Sequence, residues 1–397
     1  MSQSTVRTAP QGMSSGAVFL FALAGGAAVG NLYWSQPILD VIASAFGMTA
    51  ASAGILLTGT QIGYALGVFF LVPLGDILNR KVFIPAMMLL AAIMLAVSAA
   101  APSFPVLMIT LALVGISTVS GQLLAPLAGD LATDRQRGRV LGTVASGIML
   151  GILVARAISG IVTDLIGWRA LYAIVAVLML VMAAVMYRAL PKLPPRDRVP
   201  YGTLLLSVLR TFATSAAARA VMFIGAAAMT TFTLFWTAMT FLLTSTPFGF
   251  SATQIGLMSL IGIAGALAAQ QVGKLYDRGL GIPTIGVGLV LAIVSFAISG
   301  FAPTSLVAVI ASIAVYSVGV QTVQVMAQTR MLAIDPAARS RLNTLFVVGN
   351  FVGGAIGSAL ASVLWNLGGW PLVMTGATII LLIALVVWAV QRRRVLA

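Results

Sequence analysis

Polar residues in this chain come in short clusters, and the stretches between them are long apolar runs. An α-helix rises about 1.5 Å per residue, so about 20 apolar residues cross a hydrocarbon core about 30 Å thick. Twelve runs reach that length. In chain order they are 16–38, 51–73, 82–101, 106–128, 140–163 and 170–190, then 220–243, 253–273, 283–301, 304–327, 342–365 and 371–390. Pro102, Pro105, Pro247 and Pro303 fall between runs, where a missing N–H breaks no helical bond. The longest polar break, 191–219, parts six runs from six. It divides the chain into a first half (1–190), a linker (191–219) and a second half (220–397). Within the linker, 201–212 has the pattern of an amphipathic helix lying on a membrane surface.

The two halves repeat. VPLGDILNRK at 72–81 returns as GKLYDRGLGI at 273–282, which sets Asp76 and Asp277 201 positions apart (277 − 76 = 201). Arg137 and Arg139 are answered by Arg339 and Arg341. Gly147, Gly151 and Trp168 are answered by Gly349, Gly353 and Trp370, at a spacing of 202 (349 − 147 = 202). Two copies of one unit in the same order predict an all-α integral membrane protein of twelve transmembrane helices, built as two pseudo-symmetric six-helix bundles.

Composition supports this and narrows the chemistry. The chain is 60% hydrophobic and 8% charged, where a soluble domain carries roughly 25% charged residues. Its net charge of +14 raises the question of nucleic acid. The basic residues, however, sit in short loops without the aromatic interleaving of a binder, so no nucleic-acid partner is expected. With the N-terminus in the cytoplasm, 20 of the 22 Lys and Arg fall on the inner side; Arg169 falls outside and Arg156 inside a run. That bias predicts both termini in the cytoplasm. The N-terminal MSQSTVRTAPQGMSS is polar with one Arg before a long run, which predicts a retained first span and not a cleaved signal.

There is no Cys, His or Glu, and the eight acids are all Asp. Disulfides, thiol nucleophiles, imidazole acid/base chemistry and Cys- or His-ligated metals are excluded, so no metal or cofactor is expected. No convergent catalytic set can be assembled, and an enzyme is not expected. No G-x-x-x-x-G-K-[ST] occurs, so ATP is not the expected drive. A non-transporting receptor would carry a soluble signalling domain, for which a linker of under 30 residues leaves no room.

Six plus six parallel halves with paired charged turns after spans 2 and 8 resemble the major facilitator superfamily, over essentially the whole chain. The family's turn reads G-x-L-x-D-R-x-G-R-K. Leu74, Asp76, Arg80 and Lys81 match it, as do Gly273, Leu275, Asp277 and Arg278; Val72, Ile77 and Asn79 depart. GILVAR, GWR and NLYWSQP look most like the bacterial efflux branch related to drug/proton antiporters and sugar-efflux permeases. Two departures set the chain apart from that branch: Leu111 stands where an Arg is frequent, and Ala155-Arg156 replaces a Gly-Pro. The resemblance implies a secondary transporter of the bacterial inner membrane, monomeric, which exports a small organic molecule by alternating access, with exchange for protons open. A proton-independent facilitator or a sugar or metabolite uniporter of the same fold is the alternative.

The resemblance also implies that Asp76 faces the inner start of span 11 and Asp277 that of span 5. A carboxylate at a helix N-terminus contributes about 0.3–2 kcal/mol, enough to bias two states without freezing either. Arg80, Lys81, Asp130 and Arg278 complete these turns. The alternative is a solvated loop that only obeys the charge rule. A substrate site between the halves would draw on polar side chains within spans 1, 2, 4, 7, 10 and 11. These are Asn31, Tyr33, Gln36, Gln61, Tyr64, Gln122, Thr231, Thr233, Tyr316, Gln321, Gln324 and Asn350. An amide in hydrocarbon needs a partner, so each faces either a wet cavity or another helix. Trp34 and Trp236 suit stacking on a substrate ring, though Trp34 equally suits an interfacial anchor.

Arg156 lies deep in span 5, where a lone Arg costs a few kcal/mol. It is either an anchor for an anionic group of the substrate, a gating charge paired with Asp40 or Asp164, or a side chain snorkelling to the outer surface. No span has a central carboxylate, which leaves Asp40 as the candidate for proton coupling. Gly147, Gly151 and Ala155, like Gly349, Gly353 and Gly357, recur every four residues. Such stripes suit static packing or a sliding contact between halves.

Overall fold

The computed structural model describes residues 12–191 and 200–393, apart from the side chains of Asp76, Ala269, Gln270, Lys274, Asp277 and Ala337. Linker residues 192–199 and the carboxylates of both repeated turns therefore lie outside the described set. Polar residues flanking the apolar runs start the helices. Ser14, Thr49, Asn79, Ser215, Ser251 and Ser305 each accept a first-turn backbone N–H, and Ser251 forms a reciprocal capping box with Gln254.

Nine helices among the described residues are long and apolar enough to cross a membrane. Eight of them are span 2 (Ala50–Leu71, with a turn at Gly54), span 3 (Arg80–Ala99), span 4 (Phe104–Leu131, with a turn at Thr118 and Val119), span 5 (Asp134–Ile166), span 6 (Trp168–Ala189), span 7 (Ala216–Thr244), span 9 (Gly281–Phe301) and span 10 (Leu306–Ala333). Spans 11 and 12 run together as Arg339–Gln391, broken at Gly368 and Gly369. Gly369 sits at φ 60° and ψ −154°, which a side chain would not tolerate, so the chain turns there. Span 1 starts as Ser15–Gly30, is interrupted, and resumes through Gln36–Ile38 into Leu39–Ala45. Span 8 is Ala252–Met258 and Ile263–Asp277 joined by a 3-10 turn. Twelve spans result.

Span 5 starts at Asp134, ahead of the expected 140, because DRQRGR joins the helix. Apolar patterning marks the bilayer, whereas Arg and Gln are good helix formers that extend past it. The linker forms the helix Tyr201–Thr214, with only Val208 of its side chains buried, and Tyr201 donates its hydroxyl to the Phe70 carbonyl at 2.7 Å.

Alternation of the spans gathers the turns at 72–79, 132–133, 278–280 and 334–338 at one end, called here the basic end, and those at 46–49, 245–251 and 302–305 at the far end. Span 1 lies on span 5 as span 7 lies on span 11; span 2 pairs with span 4 as span 8 does with span 10; span 3 pairs with span 6 as span 9 does with span 12. The pairing repeats as the sequence does.

The glycine stripes belong to these pairs. Gly147 and Gly151 press on Ala22 and Gly26 of span 1, and Gly353 and Gly357 on Ala226 and Thr230 of span 7. Both lie inside a bundle, so the sliding contact between halves is corrected to static packing, where a missing Cβ lets backbones touch.

Most of the apolar core forms two clusters, one chiefly in spans 1–6, with Ala252 of span 8, and one chiefly in spans 7–12. A third, smaller cluster joins Tyr33, Tyr64 and Val68 of the first half to Val347 of span 11. Leu39, Ala43, Ala51, Ala53 and Leu57 of the first half join the second cluster, so the bundles also share apolar core at the far end. There span 2 crosses span 11 and span 5 crosses span 8. Thr58 Oγ1 meets Ser358 Oγ at 2.9 Å, Thr253 N donates to Asp164 Oδ2 at 2.7 Å, and Thr240 Oγ1 donates to the Gln36 carbonyl at 3.1 Å. Gly160 touches Ala252 and Gly256 touches the Arg156 backbone so closely that a Cβ would not fit. The far end is sealed.

Candidate functional site

The interruption of span 1 has a local cause. Pro37 offers no N–H to the Tyr33 carbonyl, which instead accepts from Gln36 N at 3.3 Å in a tighter turn. The backbone thus leaves the helical path over 31–35, and Tyr33 turns toward span 5 and span 7. Phe232 and Trp236, four residues apart on span 7, present their rings on one face.

Arg156 of span 5 fills the space between them and is 2% exposed. Its Cζ lies 4.6 Å from the Trp236 ring centroid, 4.9 Å from Tyr33 and 5.2 Å from Phe232. Such contacts contribute roughly 0.5–2 kcal/mol each, comparable with the few kcal/mol that an Arg costs at this depth. They offset part of the cost of the buried charge and make none of its hydrogen bonds. Nε and Nη2 meet no acceptor among the described residues. Two expectations are corrected here. The side chain does not snorkel outward, and it pairs with neither Asp40 nor Asp164 among the described residues. Asp164 is held by Thr253 across the seal, and Asp40 stands half-buried in the first turn of Leu39–Ala45.

Three rings and one charge from both bundles therefore converge just beneath the seal: Tyr33 and Arg156 from the first, Phe232 and Trp236 from the second. Along the same break of span 1, Asn31 Oδ1 accepts from Trp34 Nε1 at 3.0 Å, while Asn31 Nδ2 and Gln36 Oε1 are buried without a partner among the described residues. Trp34 is buried in the first bundle's core and is not an interfacial anchor. Gln61 is buried against Gly354 of span 11, its Oε1 also without a partner there.

The remaining candidates lie elsewhere. Gln122 Nε2 donates to Tyr64 Oη at 2.9 Å, and the Tyr64 ring sits 4.2 Å from that of Phe351. Gln324 Nε2 donates to the Gly225 carbonyl, and Asn350 Nδ2 to Gln324 Oε1, each at 3.0 Å, which ties spans 7, 10 and 11 together. Gln321 reaches Met149 Sδ across the bundles at 3.0 Å. Tyr316 sits in the second bundle's core against Phe235 and Phe296, its hydroxyl on Thr231 Oγ1 at 3.1 Å. Thr233 Oγ1 donates to the Gly354 carbonyl at 2.7 Å.

Phe232 escaped the sequence reading because a Phe in an apolar span resembles any core residue. Its signal was the four-residue spacing to Trp236.

At the basic end Arg80 Nη1 lies 3.1 Å from Asp130 Oδ2, and its Nε donates to the Gly75 carbonyl at 2.7 Å. The turn after span 2 is thus braced against span 4. Lys81 begins span 3, its N–H on Asn79 Oδ1, and Arg278 is exposed after span 8. The Asp76 and Asp277 carboxylates, on which the latch depends, lie outside the described side chains.

Comparison with known proteins agrees with this geometry. The model of the Major Facilitator Superfamily matches residues 20–331 and 221–396. The transporter YgaY of Escherichia coli O157:H7 is 39% identical over 376 residues, 95% of each chain. The probable transporter SCO4007 of Streptomyces coelicolor is 29% identical over 88% of this chain and 82% of its own. Among solved structures, a bacterial homologue of the human lysosomal transporter Spinster, inward-facing and unoccupied, superposes with a TM-score of 0.77 at 16% identity, covering 96% of this chain and 97% of that one. With a duplicated twelve-span bundle, a polar site between its halves and a family match along its length, this chain belongs to the Major Facilitator Superfamily of membrane transporters.

Proposed function

We propose that this protein is a secondary transporter of the bacterial inner membrane that exports a small organic molecule by alternating access. Two bundles rock about the site that holds Arg156. The basic end faces the cytoplasm with both termini, the far end faces outward, and the structure is the outward-closed state. The observation that carries this reading is the position of the four-residue box: it lies on the boundary between the bundles, directly under the contacts that seal one end. A ligand there touches both bundles and favours one arrangement over the other, which is the thermodynamic requirement for coupling binding to movement. Asp76 and Asp277 act as weak latches at the basic end. The path lies within one chain, so the protein works as a monomer.

Proton exchange would run through Asp40, the carboxylate on the outer limb of span 1. A specific observation favours the second reading, transport without protons: the box contains no carboxylate among the described side chains, and its fixed charge is an Arg. Purified protein in liposomes, assayed for efflux with and without an imposed pH gradient, separates the two. Export driven by an inward proton gradient and lost in Asp40→Asn supports antiport. Flux indifferent to the gradient and to that substitution supports the facilitator. Absence of any protein-dependent flux across a broad panel of organic solutes contradicts both.

A further inference from the structure

We infer that the substrate is an organic monoanion with a flat apolar body, bound by its carboxylate or sulfonate to Arg156 and by its ring to Trp236, Tyr33 and Phe232. This rests on the transporter reading above and names the substrate class of the same site. None of the guanidinium nitrogens has an acceptor among the described residues, and Nε and Nη2, both fully buried, are the pair that shares one edge of the plane. Two parallel N–H bonds along one edge are the geometry in which Arg receives a carboxylate bidentately. An Arg serving only as a space-filling cation would have no reason to leave that edge unmet while its faces are covered. Its faces are covered by rings, 4.6 to 5.2 Å from Cζ, so what approaches the edge also meets aromatic walls.

Charge balance points the same way. No carboxylate pairs with Arg156 among the described residues, and a buried cation without a counter-charge is costly. One negative charge completes the site, whereas a dianion leaves an excess and a neutral solute leaves the guanidinium uncompensated. Asn31 Nδ2, two positions before Tyr33, is a further buried donor without a partner among the described residues. The anion joins Arg156 and Tyr33 of one bundle to Phe232 and Trp236 of the other, so binding stabilises the closed far end.

The test uses the purified full-length chain in nanodiscs, in chloride-free phosphate buffer. Benzoate, 1-naphthoate and naphthalene-2-sulfonate are compared with their neutral amides and with chloride alone, by thermal shift and by quenching of tryptophan fluorescence. At least one aromatic anion is expected to raise the melting temperature and quench where its amide does neither. Arg156→Gln should weaken that binding by about tenfold or more, as loss of a charged bidentate contact does. Trp236→Leu should weaken it several-fold while keeping the preference for the anion. Arg156→Lys, which keeps the charge and loses the fork, should fall between wild type and Arg156→Gln, and supplies the reading if Arg156→Gln does not fold. Equal response to acids and amides, an anion response unchanged in Arg156→Lys, or stabilisation by chloride alone overturns the inference. Spin-label distances across both ends of the same preparations keep the two claims apart. If the ends still interconvert while no aromatic anion binds, the substrate class fails and the transporter reading stands. If the ends are static, the transporter reading fails.

Discussion

Arg156 illustrates how a residue's role follows from what surrounds it. Buried beneath three rings, it is held well enough to remain folded in and poorly enough to leave its hydrogen-bond donors unmet. A structural cation would be missed on removal. A binding cation is a cost that the empty protein bears, because a buried charge without a counter-charge is expensive to keep out of water. Arg156→Met is therefore expected to melt at or above the wild-type temperature while losing transport. A fall of several degrees would mark Arg156 as an organiser of the bundles instead. From sequence, the depth of Arg156 was legible because charge is rare in apolar runs, but its direction was not. Snorkelling, pairing and inward burial predict the same letter at the same position, and only the rings of span 7, some eighty residues away in sequence, decide between them. Tyr316 misled for the complementary reason. Its hydroxyl made it a cavity candidate, yet an intrabundle bond to Thr231 lets it serve as core.

At the scale of helices, glycine has two uses that sequence does not distinguish. Gly147, Gly151, Gly353 and Gly357 bring helices together inside a bundle, whereas Gly160 and Gly256 bring helices together across the seal. Substitution should therefore have two outcomes. Gly353→Val overpacks spans 7 and 11 and should destabilise the fold by about 1–3 kcal/mol or more, read as a lowered melting temperature. Gly160→Leu wedges span 5 from span 8 and should instead shift the protein toward the outward-open arrangement with little loss of folded protein. The chain contains no cysteine, and Ser362 of span 11 packs on Gly54 of span 2 at the far end, so a single Ser362→Cys reports this directly: thiol labelling from the far side should rise in the Gly160→Leu background, and unchanged labelling would contradict the role given to that crossing. For the charged turns, Asp76→Asn should leave insertion intact and depress transport, since a carboxylate at a helix start contributes about 0.3–2 kcal/mol to one state only. Transport at the wild-type rate would reduce the turn to a loop that obeys the charge rule. Span lengths were legible to within several residues except where polar residues continue a helix, as in span 5, or where a proline interrupts one, as at Pro37.

At the scale of the molecule, the duplication read from Asp76 and Asp277 and from the paired glycines reappears as matched helix pairs in the two bundles. A linear chain reveals its repeat because each copy solves the same packing problem in hydrocarbon. It does not reveal which end of the assembly is closed, since the contacts that close it, Asp164 on Thr253 and Thr58 on Ser358, join residues far apart in sequence at the boundary between the bundles. That boundary carries the account. Asp164 on Thr253, Thr58 on Ser358 and the shared apolar core at the far end hold one side shut, and the claim is that this closure is one of two alternatives exchanged with closure at the basic end. Paired spin labels at Thr49 and Thr246 across the far end, and at Thr143 and Gln328 across the basic end, test this most directly by distance measurement in nanodiscs. Two populations are predicted at each end, with opposite shifts when Gly160→Leu is introduced: longer across the far end, shorter across the basic end. A single distance at both ends, unmoved by that substitution, would contradict alternating access in this protein.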